Sequence, residues 1–88
     1  MGFIKIYILY HANKEPIYGA GLMEEVGRHG YNVSPGLIYP KLKSLESKGL
    51  LTRSKYVVEG KVRKFYETTE SGLEVLDEYR KRITGLVN

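Results

Sequence analysis

Apolar residues crowd the start of the chain, where Phe3-Ile4-Lys5-Ile6-Tyr7-Ile8-Leu9-Tyr10 is β-branched and aromatic with a single charge. Propensity alone allows a buried strand there. A helix of the same composition would be apolar on nearly every side and would need several neighbours to cover it, a second copy of the chain among them. Asn13-Lys14-Glu15-Pro16 breaks the run. Leu22, Met23 and Val26 then share one face of a second predicted helix over 17–28, weakened at its start by Gly19 and Gly21 and stopped by Gly27 and Gly30. Ile38, Leu42 and Leu45, spaced four and three, predict a third helix over 35–48, closed by Gly49. Residues 51–58 and 61–68, rich in Val, Tyr, Thr and Phe, flank Glu59-Gly60 and predict a tight hairpin. Leu73, Leu76, Tyr79, Ile83 and Leu86 recur at three and four in a last helix, capped by Thr68 or Thr69.

This order predicts a mainly α domain with a small β hairpin, the α-α-α-β-β-α succession of a winged helix-turn-helix. In that architecture the third helix enters the major groove of a duplex and the hairpin, or wing, reaches the flanking backbone. Eighty-eight residues make one small domain with a thin core, for which self-association is a natural way to bury more apolar surface. The chain has no run of about 18 apolar residues and no secretory leader pattern, so a soluble, cytoplasmic protein without a membrane partner is expected. Without cysteine it has no disulfide framework, thiolate zinc site or thiol redox sensor. No cofactor is implied.

Charge sharpens the picture because it is unevenly placed. The net charge is +4, yet residues 31–69 hold eight basic and three acidic groups, while the flanking segments are close to neutral. The positive field therefore belongs to the third helix and the hairpin.

Within the third helix Pro40 breaks the usual rules. Pro35 follows Ser34, a good N-cap, and suits the first helical position. Pro40 lies further in, where it removes the N–H that would bond to the carbonyl of Gly36, at up to ~3 kcal/mol in a helix interior. With Ile38, Leu42 and Leu45 turned inward, the opposite face holds Gly36, Pro40, Lys43, Ser44 and Ser47, with Leu37 and Tyr39 on its flanks and Lys41 nearer the core. A small, stiff apolar surface beside Lys43 and Ser44 fits a thymine methyl and neighbouring phosphates. The alternative is a helix that begins at Pro40 and leaves the preceding residues as loop.

A two-residue turn at Glu59-Gly60 sets Val58 opposite Lys61, Val57 opposite Val62, Tyr56 opposite Arg63 and Lys55 opposite Lys64. Facing like charges destabilise a hairpin by about 0.2–1 kcal/mol, and a phosphate between them reverses the sign. With Arg53, Lys61 and Arg63 they form a cationic ribbon interleaved with Tyr56 and Phe65. A wing protected from aggregation by lysine is the plainer reading of the same residues. The DNA-binding candidates are thus Ser34, Pro35, Leu37, Tyr39, Pro40, Lys41, Lys43, Ser44, Arg53, Lys55, Lys61, Arg63 and Lys64.

These residues resemble those of the PadR family of winged-helix transcriptional regulators. Pro16 with Tyr18-Gly19 is similar to the family's turn into its second helix, and Ser34-Pro35-Gly36-Leu37-Ile38-Tyr39-Pro40 to its Ser-x-Gly-Thr-Leu-Tyr-Pro signature. Residues 41–51 resemble the leucine-spaced helix and Gly-Leu exit that follow, and residues 60–72 the basic strand, paired aromatics and Thr-Glu-x-Gly cap. Leu37 stands where the family favours Thr, and Ala20-Gly21 where it favours Tyr-Glu. The resemblance implies a homodimeric regulator that binds double-stranded DNA at a two-fold symmetric operator, with the first segment helical. Residues 1–69 would be the DNA-binding domain and residues 70–88 a dimerisation helix within the same globular unit. Phe3, Ile4, Tyr7, Ile8, Leu76, Tyr79, Ile83 and Leu86 would form the dimer interface. A C-terminal region of one helix gives no support to a small-molecule effector.

Catalysis has little to stand on, since His11 and His29 are isolated and no nucleophile triad or glycine loop is present. The rival reading is a winged helix that binds proteins and not specific DNA.

Overall fold

The computed structural model describes residues 2–87, with side chains for residues 4–85. Helix α1 (Gly2–Lys14) comes first, so the ambiguous apolar segment is helical, as the resemblance implies. It has no single apolar stripe because Ile8, Leu9 and Ala12 are buried while Ile4, Ile6 and Tyr7 remain half-covered.

Helix α2 (Gly19–Arg28) starts two residues later than its apolar spacing suggests. Ile17 is extended instead and pairs with Tyr66, exchanging backbone bonds of 3.0 and 2.7 Å. Pro16 disfavours a helical conformation at the residue before it, and the backbone groups of Ile17 find a strand partner.

Helix α3 (Pro35–Ser47) contains Pro40 within it, which rules out a start at that proline. Ser34 occupies the N-cap position, but its side chain makes no capping bond. Its carbonyl accepts the N–H groups of Leu37 and Ile38 at 3.0 and 3.1 Å. Leu37 is the third helical residue, whose N–H a capping side chain would accept, and here that N–H goes to the Ser34 carbonyl instead.

Strands β1 (Leu51–Val58) and β2 (Lys61–Thr68) pair antiparallel in the register expected from the sequence, with Lys55 opposite Lys64 and Val57 opposite Val62. Glu59 and Gly60 at the turn have φ of 52° and 77°, the left-handed pair that a type I′ hairpin requires.

Helix α4 (Glu70–Val87) is capped by Thr69, whose hydroxyl oxygen accepts the N–H of Gly72 at 3.1 Å while donating to the carbonyl of Gly49 at 2.6 Å. That double contact fixes the exit of α3 to the start of α4. Thr68 adds a second tie by donating to the carbonyl of Leu9 on α1 at 2.7 Å. One core joins all elements: Leu22 and Val26 of α2, Ile38, Leu42 and Leu45 of α3, Leu51 and Tyr66 of the hairpin base, and Leu76 of α4 close on α1. The hairpin is anchored only at that base, and its outer half projects into solvent.

Candidate nucleic-acid interface

Burying Ile38, Leu42 and Leu45 turns the opposite face of α3 outward. Pro40 is exposed, flanked by Leu37 and Tyr39, each about half exposed (47% and 48%). Ser34, Pro35 and Lys43 are exposed as well, whereas Lys41 and Ser44 are half-buried at the edges of the face.

Beside this face runs a groove of about 690 Å³ between α3 and the wing. Tyr39 and Lys43 line it from α3, and Arg53, Arg63 and Lys64 line it from the strands. Five of the expected DNA-binding residues thus meet in one place. Lys55 and Lys61 are exposed further out along the wing, and Ser34, Pro35, Leu37, Pro40, Lys41 and Ser44 lie outside the groove wall.

Among the described residues Arg53 alone of these cations has an acid partner, Glu46, at 3.5 Å. Lys43, Lys55, Lys61, Arg63 and Lys64 carry their charge uncompensated, a costly arrangement for a surface with no anion to meet. Arg63 stacks over the ring of Tyr18 at 5.0 Å, and Tyr18, Phe65 and Tyr56 form an edge-to-face ladder with centroids 5.1 and 5.3 Å apart. The ladder stiffens the wing, and the Tyr18 ring holds the Arg63 guanidinium beside the groove.

Three contributors escaped the sequence reading. Glu46 was hidden because an acid on a basic helix reads as solvent-facing, and only the fold brings it to Arg53. Apolar spacing alone puts Tyr18 in the second helix and the resemblance puts it at the turn before it; it lies there, extended, with its ring beside Phe65. Gly19 is buried, and the ring of Tyr39 occupies the space a Cβ there would need, with Cζ at 2.7 Å. The signal was present in the small residues at the start of α2.

Gly19→Ala is therefore expected to displace the Tyr39 ring. The ring can swing outward, and alanine raises helix propensity by up to ~1 kcal/mol, so the melting temperature should move by only a few degrees. Anisotropy titration of a labelled duplex should show affinity lower by about fivefold, the worth of roughly one hydrogen bond.

The expected dimer surface needs one correction. Ile8 and Leu76 are 0% and 1% exposed, covered entirely by their own chain, so they hold the monomer together and have no area to offer a partner. Ile4 and Tyr7 are half-covered, and Tyr79 and Ile83 are 37% and 45% exposed. The side chains of Phe3 and Leu86 lie outside the described residues. The groups whose titration the fold perturbs also belong to α1. Burial raises the pKa of Tyr7, with Glu25 adding to the effect, and burial lowers that of His11. Neither lines the groove beside α3.

Three helices, a hairpin wing and a groove beside the third helix whose cations outnumber its one acid define a winged helix-turn-helix DNA-binding domain. Residues 8–78 match the transcriptional regulator PadR-like family, and the chain belongs to it. It is a transcriptional regulator and not an enzyme. It is 42% identical over 83 residues to the transcriptional regulator Rv3488 of Mycobacterium tuberculosis, covering 94% of this chain and 78% of that protein. A PadR family regulator from Eggerthella lenta superposes with a TM-score of 0.85 at 34% identity, over 98% of this chain and 76% of the other. A PadR-like regulator from Bacillus cereus gives 0.83 at 35% identity, over 98% and 84%. No helix among the described residues is long and apolar enough to cross a membrane.

Proposed function

We propose that the chain is a sequence-specific regulator that acts in the cytoplasm as a homodimer on two-fold symmetric DNA, with α3 in the major groove and the wing along the backbone. The observation that carries this reading is the division of α3 into two faces. Ile38, Leu42 and Leu45 are sealed in the core, while Leu37, Tyr39, Pro40 and Lys43 face outward beside Arg63 and Lys64. Base edges are read from a helix, and phosphates are gripped by cations around it.

Residues 70–88 act in this proposal as the dimerisation helix. A groove of about 680 Å³ along α1 and α4, lined by Ile6, Leu50, Val75 and Tyr79, supports that role, as does the exposure of Ile83 further along α4.

Two substitutions separate the roles. Lys64→Ala should weaken binding to every duplex and lower the salt dependence, log K against log[salt], by about 0.9. Lys43→Ala should in addition relax preference at one base position, with a discrimination loss of about 1–3 kcal/mol. Equal losses on all sequences from both would refute base reading by Lys43. Weak binding with little salt dependence in the unaltered protein would favour the protein-interaction reading.

A further inference from the structure

The wing carries a feature that a phosphate-gripping ribbon does not need. Val57 and Val62 face each other directly across the hairpin, 72% and 67% exposed, and Val58 beside them is 36% exposed. Most of the surface of Val57 and Val62 is open to solvent. The pair supports the hairpin by about 0.2–1 kcal/mol and also leaves an apolar surface open at the far end of the wing.

Its surroundings indicate what that surface meets. One step toward the core on the same face stands the Lys55 and Lys64 pair, and Lys61 and Arg63 lie on the other face. Residues 55–64 hold four cations and one acid, Glu59, which sits exposed at the turn beyond the valines. An apolar tip with a cationic collar matches a minor groove, whose sugars line the walls and whose phosphates edge both sides.

Reach agrees with this. Arg53 is tied to α3 through Glu46, and the four residues from there to Val57 span about 13 Å at ~3.3 Å each, with the side chain reaching further. Half of the ~34 Å helical repeat, the step from a major groove to the adjoining minor groove, is about 17 Å, a comparable length.

Resting on the reading that α3 occupies the major groove, we infer that Val57 and Val62 form an apolar wedge in the flanking minor groove. The wedge favours a pyrimidine–purine step, because such steps unstack most readily. It gives this chain specificity at a position where it makes no hydrogen bond to a base.

The test is parallel selection of bound sites from random duplex DNA with the unaltered protein and with Val57→Thr/Val62→Thr, which keeps shape and strand propensity while adding polarity. Val57→Ala/Val62→Ala serves as a second variant that removes bulk, and circular dichroism checks that both fold. The unaltered protein should enrich a pyrimidine–purine step about five base pairs, half a turn, outside the bases preferred by α3. Both variants should keep the inner consensus, lose the flanking enrichment and bind the best site about 5- to 10-fold more weakly. Their salt dependence should stay unchanged, because no phosphate contact is lost. Identical flanking profiles would overturn the wedge and leave the role of α3 standing. A change in molecular mass of the variants without DNA would overturn it too, by assigning the valines to a protein contact. No enrichment by the unaltered protein would overturn both.

Discussion

Gly72→Ala should lower the melting temperature by about 10–20 °C, the equivalent of roughly 2–3 kcal/mol in a domain of this size. A Cβ at position 72 would collide with the carbonyl oxygen of Leu50 and come within 2.6 Å of Thr68 Cγ2. The first is backbone in the turn between α3 and β1 and cannot swing aside. The same spot holds the N–H of Gly72 on Thr69, the hydroxyl of Thr69 on Gly49, and the amide of Thr69 on the Leu50 carbonyl at 3.1 Å. Forcing it open separates the exit of α3 from the start of α4 and loosens the base of the wing with them. Thermal unfolding followed by circular dichroism gives the answer. A drop of under about 3 °C would mean that the junction is more yielding than these contacts allow.

Replacing both Lys55 and Lys64 by alanine should produce effects of opposite sign on folding and on binding. The two ammonium groups face each other across the hairpin with no acid partner among the described residues, so removing them relieves about 0.2–1 kcal/mol of repulsion. The variant should melt no lower than the unaltered protein. Its affinity for duplex DNA should nevertheless fall on the order of 10- to 100-fold at 0.1 M salt, with the dependence of log K on log[salt] reduced by about 1.8. Titration at several salt concentrations measures both quantities. A variant that melts higher and binds DNA as before would make the lysines a guard against edge-to-edge aggregation and nothing more.

Much of this molecule is legible in its sequence. The hairpin register followed from a single dipeptide, because Glu59-Gly60 admits one tight turn and the turn dictates every pair behind it. The two faces of α3 followed from three aliphatic residues spaced four and three. Other features depended on contacts distant in sequence. Ile17 looked helical by its own apolar character, and only its pairing with Tyr66, 49 positions later, makes it extended. Ile8 and Leu76 belong to segments with more apolar residues than a monomer of this size needs, and spacing alone does not say which of them the chain keeps for itself. Ser34 has the right chemistry for a side-chain cap, yet the N–H of Leu37 that such a cap would take is bonded to the carbonyl of Ser34. In the candidate site the cations were visible one by one. Their convergence with Tyr18, Gly19 and Glu46 on one groove was not, because it requires α2, α3 and β2 to meet.

The claim on which the functional reading depends is that the outward face of α3 lies against base edges in a major groove. Photo-crosslinking of the protein to a bound duplex with 5-bromouracil in place of thymine tests it directly, since the halogen stands where the methyl projects into that groove. The account predicts covalent attachment within residues 36–43, at Tyr39 above all. Attachment confined to α1, α4 or the wing, with residues 36–43 untouched, would contradict it.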